Sequence, residues 1–140
     1  MFDKILLAVD GSDHALQAAR KAAELARAMP PREFRIVIVY DIIPMYLGEP
    51  NMQFVINNRK TEADEILNKT LKEIGEIPCE IHTEILEGDP ASAIIEVAAT
   101  RKSDLIVIGS RGLGRLAGLL LGSTSQKVVA HSPCPVLIVR

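Results

Sequence analysis

A chain of 140 residues in which 48% are hydrophobic and 24% are charged is long enough for one domain with a core and too short for two. This composition excludes a disordered chain, and the longest apolar runs are broken by glycine and charge well before the roughly 20 residues of a membrane-spanning helix. The net charge of −2 and the aromatic content of 4% argue against nucleic-acid binding, which favours more Lys and Arg and more stacking side chains.

Neither a secretory signal nor a metal motif is visible. The chain does not open with a charged segment followed by an apolar one, and its two cysteines, Cys79 and Cys134, stand far apart without CxxC or histidine spacing. We therefore expect one cytoplasmic domain over residues 1–140, with ordinary reduced thiols and no contact with membranes.

The first part of the chain predicts a strand, a helix and a second strand. Lys4 to Asp10 (KILLAVD) is an almost unbroken apolar run ending in turn residues, as a strand buried on both faces does. Ser12 fits a helix N-cap, and apolar residues then recur at helical spacing to Met29, where two prolines end the helix. Phe34 to Tyr40 (FRIVIVY) is predicted to be another buried strand.

The middle of the chain repeats this unit. Residues 44–58 are poorly patterned, and a helix is predicted from about Thr61 to Ile74. Cys79 to Leu86 (CEIHTEIL) alternates polar and apolar residues, which indicates a strand at a sheet edge, and residues 87–89 form a turn.

The last third adds two more units. Pro90 fits the first turn of a helix that runs to about Thr100, and residues 104–108 (DLIVI) form a buried strand. A glycine-rich stretch follows, then a helix from about Ser123 to Ala130 and a final strand over residues 135–139 (PVLIV).

Five strands alternating with four helices predict an α/β fold, a three-layer, doubly wound, Rossmann-like parallel sheet with strand order 3-2-1-4-5. In such a sheet a crevice opens at the carboxyl ends of strands 1 and 4, where ligands usually bind. We therefore expect Asp10 and Gly109 to lie side by side at a binding site.

Residues 109–123 (GSRGLGRLAGLLLGS) are the most unusual stretch. They belong to the last 36 residues, which contain no Asp or Glu and carry a charge of +4, a balance that suits a small anion. Glycine-rich backbone before a helix N-terminus can bind phosphate, but the stretch has neither the Lys-Ser/Thr of a Walker A loop nor the spacing of GxGxxG. The alternative is that the glycines only permit tight turns and close packing of helix on sheet.

Three segments together resemble the universal stress protein family, in its single-domain ATP-binding subclass. They are AVDGS at residues 8–12, the motif G-x2-G-x9-G-S met by Gly109, Gly112, Gly122 and Ser123, and the terminal PCPVLIVR. The resemblance covers the whole chain and implies an adenine nucleotide alpha hydrolase-like fold that binds ATP with Mg²⁺.

The resemblance also implies a role for each part of the site. Backbone N–H groups of the glycine motif, with Ser123 and the groups behind it, would hold ribose and phosphates, and adenine would meet the main chain at the end of strand 2 and the apolar wall of strand 1. Asp10 would bind a ribose hydroxyl or the water shell of Mg²⁺; the alternative for Asp10 is a purely local role in the DGS turn. The nucleotide-contacting residues so implied are Ala8, Val9, Asp10, Val39, Ile108, Gly109, Ser110, Gly112, Gly122, Ser123, Thr124 and Ser125.

Several assignments stay open at this level. Arg111 and Arg115 are optional phosphate contacts, and a shift of one or two residues at Val39 is allowed. The helix that begins near Ser123 points free N–H groups at the anion, and the Ser123 hydroxyl could both cap that helix and donate to the ligand. None of the three histidines is paired in sequence with a nucleophile in a known arrangement, so no general base is named.

The leading hypothesis is therefore an ATP-binding regulatory or sensor protein of the stress response, which changes its contacts with an unknown protein partner or its oligomeric state. The alternatives are a slow ATPase or nucleotide-transfer enzyme, and a dimeric interaction module with a structural nucleotide. The apolar terminal strand, Pro135 to Arg140, lies at a sheet edge and predicts a homodimer across a two-fold axis, as is common in the family.

Overall fold

The structure, a computed structural model, describes residues 2–42, 48–111 and 121–140. Over these residues the strands are β1 (Lys4–Val9), β2 (Glu33–Tyr40), β3 (Glu80–Glu87), β4 (Leu105–Gly109) and β5 (Val136–Val139). The helices are α1 (Asp13–Ala28), α2 (Asn51–Ile74), α3 (Pro90–Thr100) and α4 (Ser123–His131). No helix in these ranges combines the length and the apolar character needed to cross a membrane.

All five strands are parallel and follow the order β3-β2-β1-β4-β5, which confirms the predicted topology. β1 is central, and its residues Leu6 and Leu7 are fully buried, one on each face. The register sets Ala8 beside Ile108 and Val9 beside Ile38, so the carboxyl ends of β1, β2 and β4 meet at one edge of the sheet.

Two hydrophobic cores cover the two faces of the sheet. One lies under α1 and α2 and includes Phe34 and Ile36, and the other lies under α3 and α4 and includes Ile106 and Val128. Alanines fill the buried side of α1, which lets this helix approach the sheet closely. Ser12 caps α1 as predicted, because its Oγ accepts a hydrogen bond from the Ala15 N–H at 3.2 Å.

Helix α2 begins ten residues earlier than predicted, at Asn51 instead of Thr61. Its 24 residues give a length of about 36 Å, whereas the eight residues of β2 span about 26 Å. The first turns are only weakly amphipathic, because half-buried Met52, Val55 and Ile56 are interspersed with exposed asparagines and Phe54. Because this pattern is weak, the sequence did not predict the first ten residues of the helix.

Candidate functional site

A cavity of about 400 Å³ opens at the edge of the sheet where β1, β2 and β4 end. Its volume falls within the usual range of small-molecule sites, about 300–1,000 Å³. Strand ends form its floor, α2 forms one wall, and the starts of α3 and α4 form the other. The lining residues are Ala8, Val9, Asp10, Ser12, Ala15, Val37, Ile38, Val39, Tyr40, Asp41, Arg59, Glu62, Ala63, Ile66, Pro90, Ile94, Ile108, Gly109, Arg111, Gly122, Ser123, Thr124 and Ser125.

The two ends of the cavity differ in charge. At the β4 side it is lined by Arg111 and by the first turn of α4. At the β2 side it is lined by Asp41 and by Glu62 of α2, which pairs with Arg59, and Asp10 of the turn after β1 lies between the two ends. The cavity therefore favours a ligand that has an anionic group at one end and places this group against α4.

The end of the cavity that suits an anion is built from the start of α4. The N-cap is Gly122, which has no side chain to accept a hydrogen bond from the first N–H groups of the helix. Those N–H groups, with the partial positive charge of the helix N-terminus, suit a phosphate. Ser123 is the first helical residue and not the cap, so the expectation that its hydroxyl caps the helix was wrong. Its exposed side chain lines the cavity instead.

Arg111 adds a cation at this end. It follows β4 directly, its side chain lines the cavity, and its Nε is buried without a hydrogen-bond partner in the part of the chain that the structure describes. The positive charge of this guanidinium would attract an anionic ligand in the cavity.

Asp10 has the local turn role that the sequence left open. Its Oδ1 accepts a hydrogen bond from the Ser12 N–H at 2.9 Å, which closes the turn between β1 and α1. Gly11 in this turn has a φ of +87°, and a Cβ there would lie 3.1 Å from Ile66 Cγ1 of α2. A glycine is therefore required at position 11, and the turn that it permits fixes the Asp10 carboxylate at the cavity.

Ser110 lies behind the cavity and not among its lining residues. Its side chain is 1% exposed, and its Oγ is 2.8 Å from His14 Nδ1 of α1. Sequence reasoning missed this pair, since the two residues are 96 positions apart and no local pattern links them. Because the pair is closed off from the cavity, it is not placed to act on a bound ligand.

The Ser110 carbonyl organises the start of α4. It accepts hydrogen bonds from the Gly122 N–H at 2.6 Å and from Ser125 Oγ at 2.9 Å. The Ser125 hydroxyl also lies 3.0 Å from the Gly122 carbonyl and is buried. These hydrogen bonds thus join the two ends of the glycine-rich stretch. Because the Ser125 hydroxyl donates within the protein, its role is to hold α4 in place and not to bind a ligand directly.

Helix α3 is fixed next to the same cavity by Asp89. This N-cap accepts hydrogen bonds from the Ser92 hydroxyl and N–H at 2.8 and 3.0 Å, and Lys127 Nζ of α4 lies 3.4 Å away. The Ser92 hydroxyl, followed by its N–H and Lys127, lowers the pKa of Asp89 below its ordinary value. Pro90, the first residue of α3, then lines the cavity.

Ten of the twelve predicted contact residues line one cavity. Ser110 lies behind it, and Gly112 falls outside the described residues. The lining residues of α2 were not predicted to contact the ligand, although only Arg59 lies in the stretch whose helix was not recognised. Tyr40 and Asp41, which also line the cavity, fall within the shift of one or two residues allowed at Val39. The ten predicted lining residues are Ala8, Val9, Asp10, Val39, Ile108, Gly109, Gly122, Ser123, Thr124 and Ser125.

Comparison with known proteins gives one consistent result. The model of the "Universal stress protein family" matches residues 1–140. A universal stress protein of Thermus aquaticus is 46% identical over 140 residues, which cover 100% of both chains.

Solved structures agree with this result. The universal stress protein UspA of Lactobacillus plantarum superimposes with a TM-score of 0.86 at 27% identity, over 99% of this chain and 98% of that one. A universal stress protein solved in complex with cAMP gives a TM-score of 0.69 at 29% identity, over 99% of this chain and 97% of that one. Both the sequence and the fold are thus similar to those of universal stress proteins.

Proposed function

Because the chain belongs to the universal stress protein family, we propose that it is a cytoplasmic, nucleotide-dependent regulatory protein that holds ATP with Mg²⁺ in the cavity at the carboxyl ends of β1 and β4. The observation that carries this proposal is a cavity in which an uncapped helix N-terminus and Arg111 face the same space as an apolar strand floor. An anion fits the first and a nucleobase fits the second.

In the proposed complex adenine lies against Val39, Ala8 and Val9 at the ends of β2 and β1, with Ile108 beside it. The phosphates lie at the first turn of α4. There they would be held by backbone N–H groups of Gly109, Ser123, Thr124 and Ser125, with Gly112 of the family motif. The Gly122 N–H already donates to the Ser110 carbonyl, so Gly122 would contribute by leaving the start of α4 without a side chain. Ser110 supports the phosphate end from behind through its hydrogen bonds to α4. A relative that holds cAMP is in keeping with this arrangement, because cAMP contains adenine, ribose and phosphate.

Magnesium would enter with the triphosphate. The donor set fits a cation held by phosphate oxygens and water, because Asp10 supplies one carboxylate at the cavity and no cluster of three or more His, Cys, Asp or Glu that could hold a metal occurs in the described ranges. Asp10 would bind the water shell of Mg²⁺ or a ribose hydroxyl, and the metal would offset the charge of the phosphates.

We also propose that two copies associate through β5. This strand lies at the edge of the sheet, and its residues Val136–Val139 (VLIV) carry no charge that would oppose pairing with a second copy. Nucleotide binding at the β4–α4 end would then act close to the interface, because β5 pairs with β4. The protein partner that reads this state is a separate molecule of unknown identity.

Titration calorimetry with Ser123→Glu tests nucleotide binding. A carboxylate at the first position of α4 interacts favourably with the helix N-terminus, so the variant should fold normally. The same charge would repel a phosphate. We expect the wild type to bind ATP and the variant to bind it at least about tenfold more weakly, since charge-assisted hydrogen bonds and like-charge repulsion each act on this scale.

The matched control is Gln126→Glu, which adds the same charge to an exposed position of α4 that does not line the cavity. It should bind ATP almost as the wild type does. If the wild type gives no heat with ATP at high micromolar protein, or if Ser123→Glu binds like the control, the proposed site is wrong.

A further inference from the structure

Arg59 extends the α2 wall of the cavity to its mouth. Four lining residues of α2, Arg59, Glu62, Ala63 and Ile66, follow the spacing of one helical face. Ile66 and Ala63 lie deep, with Ile66 over Gly11 and Ala63 only 2% exposed. Arg59 therefore stands at the outer end of this face, where α2 continues beyond the sheet.

The guanidinium of Arg59 is weakly held by the protein. Its Nη1 lies 3.5 Å from Glu62 Oε2, three residues further along the same helix, and the side chains are 38% and 63% exposed. Such surface pairs contribute little to stability, so the guanidinium can contact a ligand at small cost. The pairing with Glu62 restricts the directions in which the Arg59 guanidinium can point.

The position of α2 determines which part of a ligand Arg59 meets. α2 packs against α1 and β2, whereas the end of the cavity that suits an anion is formed by α4 and by Arg111 after β4. At the β2 and α2 side the cavity lining includes the carboxylates of Glu62, which lies beside Arg59, and of Asp41. The two carboxylates outnumber the single guanidinium, so a phosphate is favoured at the α4 end and the uncharged base at this end.

We propose that the guanidinium of Arg59 stacks on the exposed face of the nucleobase and is a ligand-contacting residue of the site, with Glu62 orienting it. This inference rests on the proposed function and adds an α2 residue that secures the base. A planar guanidinium lies well on an aromatic ring, and the attraction between cation and ring does not depend on the phosphates. α2 would then be linked directly to ligand occupancy.

Arg59→Gln tests the proposal with adenosine, AMP and ATP as three separate probes in titration calorimetry. We expect the affinity for all three to fall by a similar factor, about three- to tenfold, because the contact that is lost is with adenine, which all three contain. Lys60→Gln is the control, since it removes a charge from the next, exposed residue of α2, which does not line the cavity. Thermal melting of both variants should match that of the wild type.

Three results would overturn the proposal. One is an Arg59→Gln variant that binds all three ligands as the wild type does. Another is a loss confined to AMP and ATP, which would make Arg59 a phosphate contact. The third is an equal loss in Lys60→Gln, which would indicate a general charge effect. A wild-type protein that binds none of the probes would instead refute the proposed function itself.

Discussion

Gly109 shows how one position can serve packing and binding together. A Cβ at this residue would lie 2.8–2.9 Å from the C, Cβ and O atoms of His14, much closer than real Cβ contacts. The start of α1 thus rests directly on the end of β4. Because glycine has no side chain, the backbone of Gly109 also lines the cavity directly. The packing explanation that the sequence left open therefore applies to Gly109, and it is compatible with a binding role.

Gly109→Ala should accordingly destabilise the protein by about 1–3 kcal/mol, the usual cost of forcing an extra methyl group into a packed site. Urea unfolding followed by circular dichroism measures this. Adding His14→Ala should not restore stability, because the C, Cβ and O atoms that cause the clash remain. A single variant within about 0.5 kcal/mol of the wild type, the range of ordinary surface substitutions, would show that α1 can move away freely.

At the scale of elements, the start of α4 is held by a hydroxyl and a carbonyl from different parts of the chain. The Ser125 hydroxyl donates to the Ser110 carbonyl at the end of β4, while Gly122, the N-cap, donates to the same oxygen. The orientation of the first turn of α4, and with it the proposed phosphate site, depends on this shared acceptor.

Ser125→Ala should therefore lower the free energy of unfolding by about 1 kcal/mol, the typical contribution of one hydrogen bond, and should weaken ATP binding as well. Ser123→Ala is the control for stability, because that side chain is exposed and makes no capping hydrogen bond. The two variants would be compared by urea unfolding and calorimetry. Equal stability of Ser125→Ala and Ser123→Ala would mean that the Ser110 carbonyl does not hold α4.

The sequence predicted the features that leave a clear local pattern, and it missed those that leave a weak pattern or none. Buried strands and capped helices leave local patterns, so the parallel sheet, its order and most element ends were predicted within a residue or two. The place of the cavity, at the ends of β1 and β4, followed because strand ends converge by topology. The nucleotide-contacting residues came from the family resemblance, and their contacts with a ligand stay a prediction. The start of α2 was missed because its pattern is weak. The contact between Ser110 and His14 was missed because it joins distant parts of the chain.

Arg35 of β2 is a further case of the same limit. It lies within an apolar run yet is 6% exposed, and it pairs with Glu33 at 3.0 Å and with Glu84 of β3 at 3.7 Å. Its partner on β3 depends on the register of two strands, in which Arg35 lies beside His82. A buried charge is tolerated only with such partners, and no local pattern reveals them.

At the scale of the whole molecule, the two edges of the sheet have opposite character. β3 carries Glu80, Glu84 and Glu87, charges of the kind that protect an edge strand from pairing, whereas β5 carries none. Hydrogen bonds from Ile106 and Ser110 to the carbonyls of Pro135 and Val139 show which residues of β5 face β4. By alternation, Val136 and Ile138 direct their backbone groups away from the sheet.

Ile138→Pro should therefore convert the proposed dimer to a monomer without breaking the ladder between β4 and β5. Proline removes the outward N–H of residue 138 and is tolerated at strand edges. Ile138→Ala is the matched control, because it shortens the side chain that packs on the α3–α4 side but keeps that N–H. Light scattering should give a dimeric mass for the wild type and the alanine variant and a monomeric mass for the proline variant. A dimeric mass for folded Ile138→Pro would place the interface elsewhere, and dissociation of both variants would assign it to the side chain of Ile138.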